Sequence, residues 1–156
     1  MATDPLGELV RQYLVAEGLV RRPEVAAPPG DPNLPPLWVD LSQGIPAPGD
    51  LTPPNRAGDA VVAVNVATGL PSRRMETELR VLAREVWLRT KSAPRAERLY
   101  TLLRRALDDK RGWVMSGLWM SETKEVRPLQ PLSTEQGVYT FNAEYTFEFR
   151  DSDLVV

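Results

Sequence analysis

The stretch VYTFNAEYTFEFR, from Val138 to Arg150, alternates almost perfectly between apolar and polar residues. Such alternation predicts a β-strand with one face on a hydrophobic core and the other in water. At about 3.3 Å per residue the strand would span roughly 43 Å, longer than most strands. Either it lies within one domain, or it extends beyond its own domain to a neighbouring subunit. The side chains of the apolar face are Tyr139, Phe141, Ala143, Tyr145, Phe147 and Phe149.

Local signals predict the other elements. Residues 4–20 have helical spacing after Asp4, a suitable N-cap, and Pro5. A second amphipathic helix is expected over 93–110, with Ser92 as N-cap and Gly112 as C′ residue. Runs of β-branched and aromatic residues predict strands at 37–41, 60–67 and 80–90, and an apolar central strand at 113–120. TGLPSRR (68–74) is expected to be a turn and RPLQPLSTEQG (127–137) a loop.

Residues 23–58 contain ten of the 15 prolines in the chain. Proline fixes φ and donates no backbone hydrogen bond, so this segment cannot form long helices or strands. It is either a disordered linker or an extended arm that its neighbours hold in place.

A length of 156 residues predicts one domain. The elements predict the α+β class: a mainly antiparallel sheet with one long helix and an N-terminal helix packed on it, plus a Pro-rich extended arm. Within the single domain 1–156 we expect the N-terminal helix at 4–20, the arm at 23–58, an α+β core at 60–150 and a tail at 151–156.

The composition argues against most enzyme mechanisms. The chain has no cysteine and no histidine, which excludes thiol nucleophiles, Ser-His-Asp triads and the common zinc sites. Neither GxxxxGK[ST] nor GxGxxG is present. Glu144 and Glu148 would lie roughly 13 Å apart on one strand face, too far for a glycosidase pair. We therefore predict a non-enzyme without catalytic residues, metal or cofactor.

No apolar run approaches the roughly 20 residues that span a bilayer. The N-terminus MATDPLGELVRQ also lacks the basic start and apolar centre of a signal peptide. We expect an intracellular, soluble chain.

The charges are distributed unevenly. Residues 73–111 hold 12 Lys and Arg against 6 Asp and Glu, whereas the rest of the chain holds 7 against 15. The arginines either decorate a solvated helix or meet an acidic partner, which could be a second copy of the chain. A net charge of −2 and the lack of a recognition motif argue against sequence-specific nucleic-acid binding.

The candidate interface residues are charged positions of the predicted helix, strands and turn, together with one tryptophan of the arm. Reversing the charge of Arg98, Arg104 and Arg105 together is expected to harm assembly more than folding. The full set is Trp38, Arg73, Arg74, Arg95, Arg98, Arg104, Arg105, Glu144 and Glu148.

The order of these patterns resembles that of the tail terminator proteins of long-tailed bacteriophages, also known as tail-completion or minor capsid proteins. The resemblance covers about residues 55–150. The arm is longer than the family pattern, and residues 70–80 match no clear element. The matching segments are AVVAVNVATGLP, EVWLRTKS, APRAERLYTLLRRAL and YTFNAEYTFEFR.

This resemblance implies a non-catalytic virion protein in the tail or neck, present in the host cytoplasm during assembly. It implies a homohexameric ring that caps the tail tube, ends tube polymerisation and joins the tail to the head. The expected partners are other copies of the chain, the tail-tube protein and a head-completion or neck protein. No membrane contact is expected, and DNA would pass through the channel of the ring. Two alternatives stay open: a neck or head-completion protein, and a small-molecule-binding or enzymatic α+β domain.

Overall fold

The computed structural model describes residues 4–39, 60–66, 72–74, 79–135 and 137–150, with the backbone alone at 72–74. Two helices pack on one face of a seven-stranded sheet with the order β1-β2-β4-β7-β6-β5, and β3 pairs with β4 beside β2. The elements are α1 (Pro5–Ala16), β1 (Leu37–Val39), β2 (Ala60–Val66), β3 (Ser72–Arg74), β4 (Leu79–Thr90), α2 (Ala93–Leu107), β5 (Lys110–Met115), β6 (Leu118–Glu135) and β7 (Val138–Arg150).

The predicted fold class is wrong. The structure is 54% strand and 24% helix, and its sheet is mixed rather than mainly antiparallel. Strand β1 runs parallel to β2, with Leu37 opposite Val62 and Val39 opposite Val64. Parallel neighbours need a crossover of a dozen or more residues, and residues 40–59 separate these two strands.

Strand β7 is the centre of the sheet. It pairs with β4 from Tyr139 to Arg150 and with β6 from Val138 to Phe149. The prediction of its core face is confirmed, since Ala143, Tyr145, Phe147 and Phe149 lie in the hydrophobic core. Over its whole length, however, β7 is paired with β4 or β6 of its own sheet. The interpretation that the strand extends past its domain is therefore wrong.

The stretch WVMSGLWM is a hairpin, not one central strand. Ser116 and Gly117 both have positive φ, 50° and 85°, and join β5 to β6 with Met115 paired to Leu118. Two left-handed residues between antiparallel strands are typical of the tight turns whose twist suits a hairpin. Among the strands of the described residues β5 pairs with β6 alone, so it lies at an edge of the sheet.

Strand β6 is far longer than predicted, because the expected loop 127–137 is strand as far as Glu135. Two prolines, Pro128 and Pro131, lie in this part, where β7 is the only strand paired with β6 in the described chain. Proline is tolerated on a strand edge, where a missing N–H breaks no ladder. Strand β6 has four register irregularities in its pairing with β7, and two of them, between Arg127 and Gln130 and between Pro131 and Ser133, lie in this part.

The described end of the predicted turn 68–74 is strand β3, and residues 67–71 lie outside the described part. The strands predicted at 60–67 and 80–90 are confirmed as β2 and β4. Of the segment 37–41 the structure describes 37–39, as β1.

The helices bury the residues that the periodicity selects. Helix α1 buries Leu6, Val10 and Leu14, and ends at Ala16, before the predicted end at residue 20. Helix α2 begins after Ser92, whose hydroxyl accepts the Arg95 backbone N–H, as predicted. It ends at Leu107 rather than residue 110 because Asp109 takes a left-handed φ of 51° and the chain turns into β5. Gly112 therefore lies in a strand and is not a helix stop.

Helix α1 packs on β1 and β2 at one end of the strand order and on β5 at the other. Tyr13 contacts β5 and α2: its ring lies edge-on to Trp113 of β5 at 5.0 Å, and its hydroxyl donates to the Ala106 carbonyl of α2 at 2.9 Å. The Ser116 hydroxyl donates to the Leu9 carbonyl at 2.7 Å. These contacts require the sheet to curve around the helices.

Residues 23–36 of the predicted arm form a loop held by their own chain. The buried Arg21 donates to the carbonyls of Val25 (2.7 Å) and Leu34 (3.1 Å), and its backbone bonds to Pro35 and Leu37. This part of the arm is therefore not a free linker. The remainder of the arm, 40–58, and the predicted tail, 151–156, lie outside the described residues.

Candidate functional site

The arginines predicted at the interface divide into two groups. Arg98 and Arg105 lie on the solvent side of α2 and have no ion-pair partner among the residues that the structure describes. Arg95 instead donates to the Asn33 carbonyl at 2.9 Å and ties the arm loop to α2. Arg104 lies 3.3 Å from Asp108 and 3.7 Å from Glu125. Sequence periodicity alone could not separate these two groups.

Arg73 and Arg74 are on β3, opposite Arg80 and Leu79 of β4. Their backbones thus lie at the outer flank of the sheet, apart from α2. Their side chains are outside the described part of the chain.

A polar cluster around Glu125 lies between α2 and the sheet. The hydroxyls of Tyr100 and Tyr145 donate to one Glu125 oxygen at 2.5 and 3.2 Å. Burial, followed by Glu125, raises the pKa of both tyrosines. Glu125 and then Tyr100 raise the pKa of Arg104. All three shifts favour the state that each group already has at neutral pH, so the cluster suits packing better than proton transfer.

An open cavity of about 290 Å³ adjoins this cluster and is lined by Tyr100, Thr101, Arg104, Arg105 and Asp108. Its two arginines could attract an anion. However, Asp108 also lines it, and it lies at the negative end of the α2 dipole. The cavity is therefore a poor anion site.

The two predicted carboxylates lie on the outer face of the sheet, opposite the helices. Glu144 belongs to a network in which Arg127 contacts Glu85 (3.0 Å), Asn142 (2.6 Å) and Glu144 (3.6 Å). Glu148 is buried and accepts the Ser121 hydroxyl at 2.9 Å. Both carboxylates thus contribute to the cohesion of the sheet. Their predicted role at an interface stays a prediction.

The tryptophans behave differently from the expectation. Trp38, the predicted anchor, is half-buried with Trp87 against Val61 and Ala63 on the outer face. Trp119, which belongs to the segment predicted as an apolar central strand, is 45% exposed on β6. Its cross-strand partner Val114 on β5 is 60% exposed. The serine and glycine between the two strands were the signal that could have revealed the hairpin and its outward side.

The open side of β6 is partly capped by α2. The Asp108 carboxylate accepts the Glu125 backbone N–H at 2.8 Å, and the Leu129 backbone interacts with the Tyr100 hydroxyl. Pro128 and Pro131 have no N–H to offer. These features disfavour the addition of another strand along this part of the edge.

Among the described residues, no three carboxylate side chains lie together as a metal site would require. Neither α1 nor α2, the helices of the described part, is long and apolar enough to cross a membrane.

No family model matches the chain, and no curated protein is significantly similar to it in sequence. The resemblance to tail terminators therefore continues to rest on the order and pattern of the segments. The function is proposed on that basis together with the surfaces described above.

Proposed function

We propose that this chain is a structural subunit of a ring that caps the tail tube of a long-tailed bacteriophage. In this role it ends tube polymerisation and provides the joint to the head or neck. Its partners are other copies of itself, the tail-tube protein and a head-completion protein, and its site of action is the virion. It performs no catalysis.

The exposed pair Val114 and Trp119 is the observation that carries the proposal. Tryptophan is highly buried on average in folded proteins, and it is enriched at the centres of protein interfaces. A Trp that is 45% exposed beside a 60% exposed valine is an apolar spot on the outer side of a hairpin whose other apolar side chains near its turn face the core. Such a spot favours a protein that assembles with other proteins.

The ionisable groups also favour an assembly role. Glu125 is bound by two tyrosine hydroxyls, and Glu85 is bound by Arg127 and Asn142. Carboxylates engaged in this way hold the fold together. The enzymatic alternative finds no support in them.

Light scattering and negative-stain electron microscopy of the purified protein test the proposal. The expected result is one species of six times the 17.4 kDa of a single chain, with a central channel. Added tail-tube protein should give tubes that carry one ring at an end and stop growing. A chain that stays monomeric, alone and with tail-tube protein, would contradict the proposal.

A further inference from the structure

The outer side of the β5–β6 hairpin has the properties of a docking surface. Val114 and Trp119 lie directly opposite each other across the two strands and are both exposed. A tryptophan ring offers a large, rigid apolar surface and an N–H donor, so burying it in a contact is strongly favourable.

Positive charge surrounds this pair. The Arg111 side chain is 75% exposed and lies 3.2 Å from Glu122, which also pairs with Lys124 at 3.6 Å. Arg150 is exposed, and it follows Phe149, the partner of Met120, so it flanks Trp119. Arg111 and Lys124 thus share the Glu122 carboxylate. With Arg150 they make three cations against two carboxylates, Glu122 and the buried Glu148 opposite it, so the exposed rim of the apolar pair is positive.

The loop Glu24–Asp31, EVAAPPGD, has the complementary pattern of an apolar run with an acid at each end. Val25 is 53% exposed, and Pro28, Pro29, Glu24 and Asp31 are exposed as well. Within the described ranges neither acid has an ion-pair partner. The loop offers a negative rim around an apolar centre.

The loop is also fixed in place before any contact forms. Arg21 holds the Val25 and Leu34 carbonyls, and Arg95 holds the Asn33 carbonyl. Short turns close at Val25 and Asp31. A segment that is already ordered loses little conformational entropy on binding.

We propose that the Glu24–Asp31 loop of one copy docks on the Val114–Trp119 pair of the next copy. Val25 and the prolines cover the tryptophan ring, as proline-rich segments do in aromatic grooves, and Glu24 and Asp31 face Arg111 and Arg150. The inference rests on the proposed ring and names the contact that builds it. The loop precedes β1 and the hairpin contains β5, the two ends of the strand order, so the contact is head-to-tail and can close a ring.

Disulfide trapping tests this contact directly, because the chain has no cysteine of its own. A Val25→Cys variant is mixed with a Val114→Cys variant under mild oxidation, and covalent dimers are followed on non-reducing gels. The double variant should give a ladder that ends at the ring. The matched control replaces Val114→Cys with Leu132→Cys, which is 44% exposed on β6 away from the hairpin turn. We expect trapping at Val114 to be at least about tenfold faster, since docking raises the effective concentration of the two thiols.

Charge exchange provides the second test. Arg111→Glu with Arg150→Glu should slow trapping, as should Glu24→Lys with Asp31→Lys. Mixing the two double variants, each also carrying its cysteine, should restore trapping, because the opposite charges then face each other again. Circular dichroism confirms that each variant is folded.

The outcomes separate the contact from the ring. Two results together would overturn the docking but not the proposed ring: the Trp119→Ser variant forms rings of unchanged mass, and Val25→Cys is trapped by Val114→Cys no faster than by Leu132→Cys. A chain that neither associates nor traps at any concentration would overturn both.

Discussion

The buried ion pair between Asp4 and Arg84 holds the start of α1 to the sheet. Arg84 contacts the two carboxylate oxygens through Nε (2.7 Å) and Nη2 (2.8 Å), and both side chains are buried. Asp4 occupies the predicted N-cap position, yet its side chain makes no capping bond because it is engaged by Arg84. Sequence could place Asp4 at the helix start, but not the partner 80 residues away.

Removing one member of this pair should destabilise the fold strongly. Arg84→Met leaves a buried carboxylate without its partner, and we expect a loss of about 3 kcal/mol or more in the free energy of unfolding. Asp4→Asn should act in the same direction. The double variant Asp4→Leu with Arg84→Met, which buries no charge, should be more stable than Arg84→Met in urea unfolding. Single variants within about 1 kcal/mol of the wild type would contradict this reading.

The tyrosines on Glu125 make stability depend on alkaline pH. Burial, then Glu125 and Tyr100, raises the pKa of Tyr145 above its usual value near 10. Below pH 10 the phenol is neutral in both states, so its contribution to stability is fully present. Above pH 10 the unfolded chain ionises first, so stability falls by up to about 1.4 kcal/mol per pH unit for this group.

Tyr145→Phe should therefore flatten the fall of stability above pH 10. At pH 7 the same variant should lose about 1 kcal/mol with the hydrogen bond to Glu125. Urea unfolding between pH 7 and 11 measures both effects. Tyr100→Phe serves as a second variant, since burial and Glu125 raise the pKa of Tyr100 as well. Equal slopes in the wild type and both variants would show that the cluster does not control alkaline stability.

At the scale of elements, the position of Gly7 reveals how closely α1 approaches β1. A Cβ at Gly7 would lie 2.5 Å from Asp4 Oδ2 and 2.8 Å from Val39 Cγ1. A glycine inside a helix usually reduces helix stability by about 1 kcal/mol relative to alanine. Here it makes room for the strand and for the ion pair.

Gly7→Ala should thus destabilise the protein, although helix propensity alone predicts the opposite sign. We expect a loss of about 1–3 kcal/mol from overpacking, measured by thermal and urea unfolding. Gln12→Ala, an exposed change on the same helix, is the control and should be nearly neutral. A gain of stability in Gly7→Ala would mean that α1 lies further from β1.

The elements that sequence predicted well are those with a strong local period. Strand β4 and the core face of β7 follow from alternation, and α2 follows from its apolar stripe and the Ser92 cap. Tertiary context decided the rest. Pro128 and Pro131 suggested a loop. In this part of β6 one side makes no hydrogen bonds to another described strand, so the prolines cost no ladder bond there and the other side pairs with β7. Local pattern also cannot show that β1 lies parallel to β2, since that depends on the path between them.

For the whole molecule, the predicted interface set depended on chain-wide charge polarity, and the structure gives its members different surroundings. Four of them make polar contacts within their own chain: Arg95, Arg104, Glu144 and Glu148. Arg98 and Arg105 are exposed to solvent. Exposure is a property of the folded surface, so composition could not rank these residues. For the same reason the apolar run at 113–120 could not show that Trp119 would be exposed.

Arg98, Leu102 and Arg105 form a stripe at i, i+4 and i+7 on the solvent side of α2, and this stripe allows a sharper charge-reversal test. Arg104 must be left out, because Arg104→Glu would place a carboxylate beside Asp108 and Glu125 and disturb the fold. Arg98→Glu with Arg105→Glu changes only exposed side chains that have no ion-pair partner among the described residues. We expect its unfolding free energy to stay within about 0.5 kcal/mol of the wild type while attachment to an acidic partner weakens.

Light scattering and tube capping measure the assembly of this double variant, and urea unfolding measures its stability. Because the stripe is separate from the β5–β6 hairpin, trapping between Val25→Cys and Val114→Cys should continue in the same background. Loss of capping with trapping intact would assign the stripe to the tube or the head-completion protein. Normal rings and normal capping would mean that Arg98 and Arg105 are solvated charges, and that the positive charge of α2 has no part in assembly.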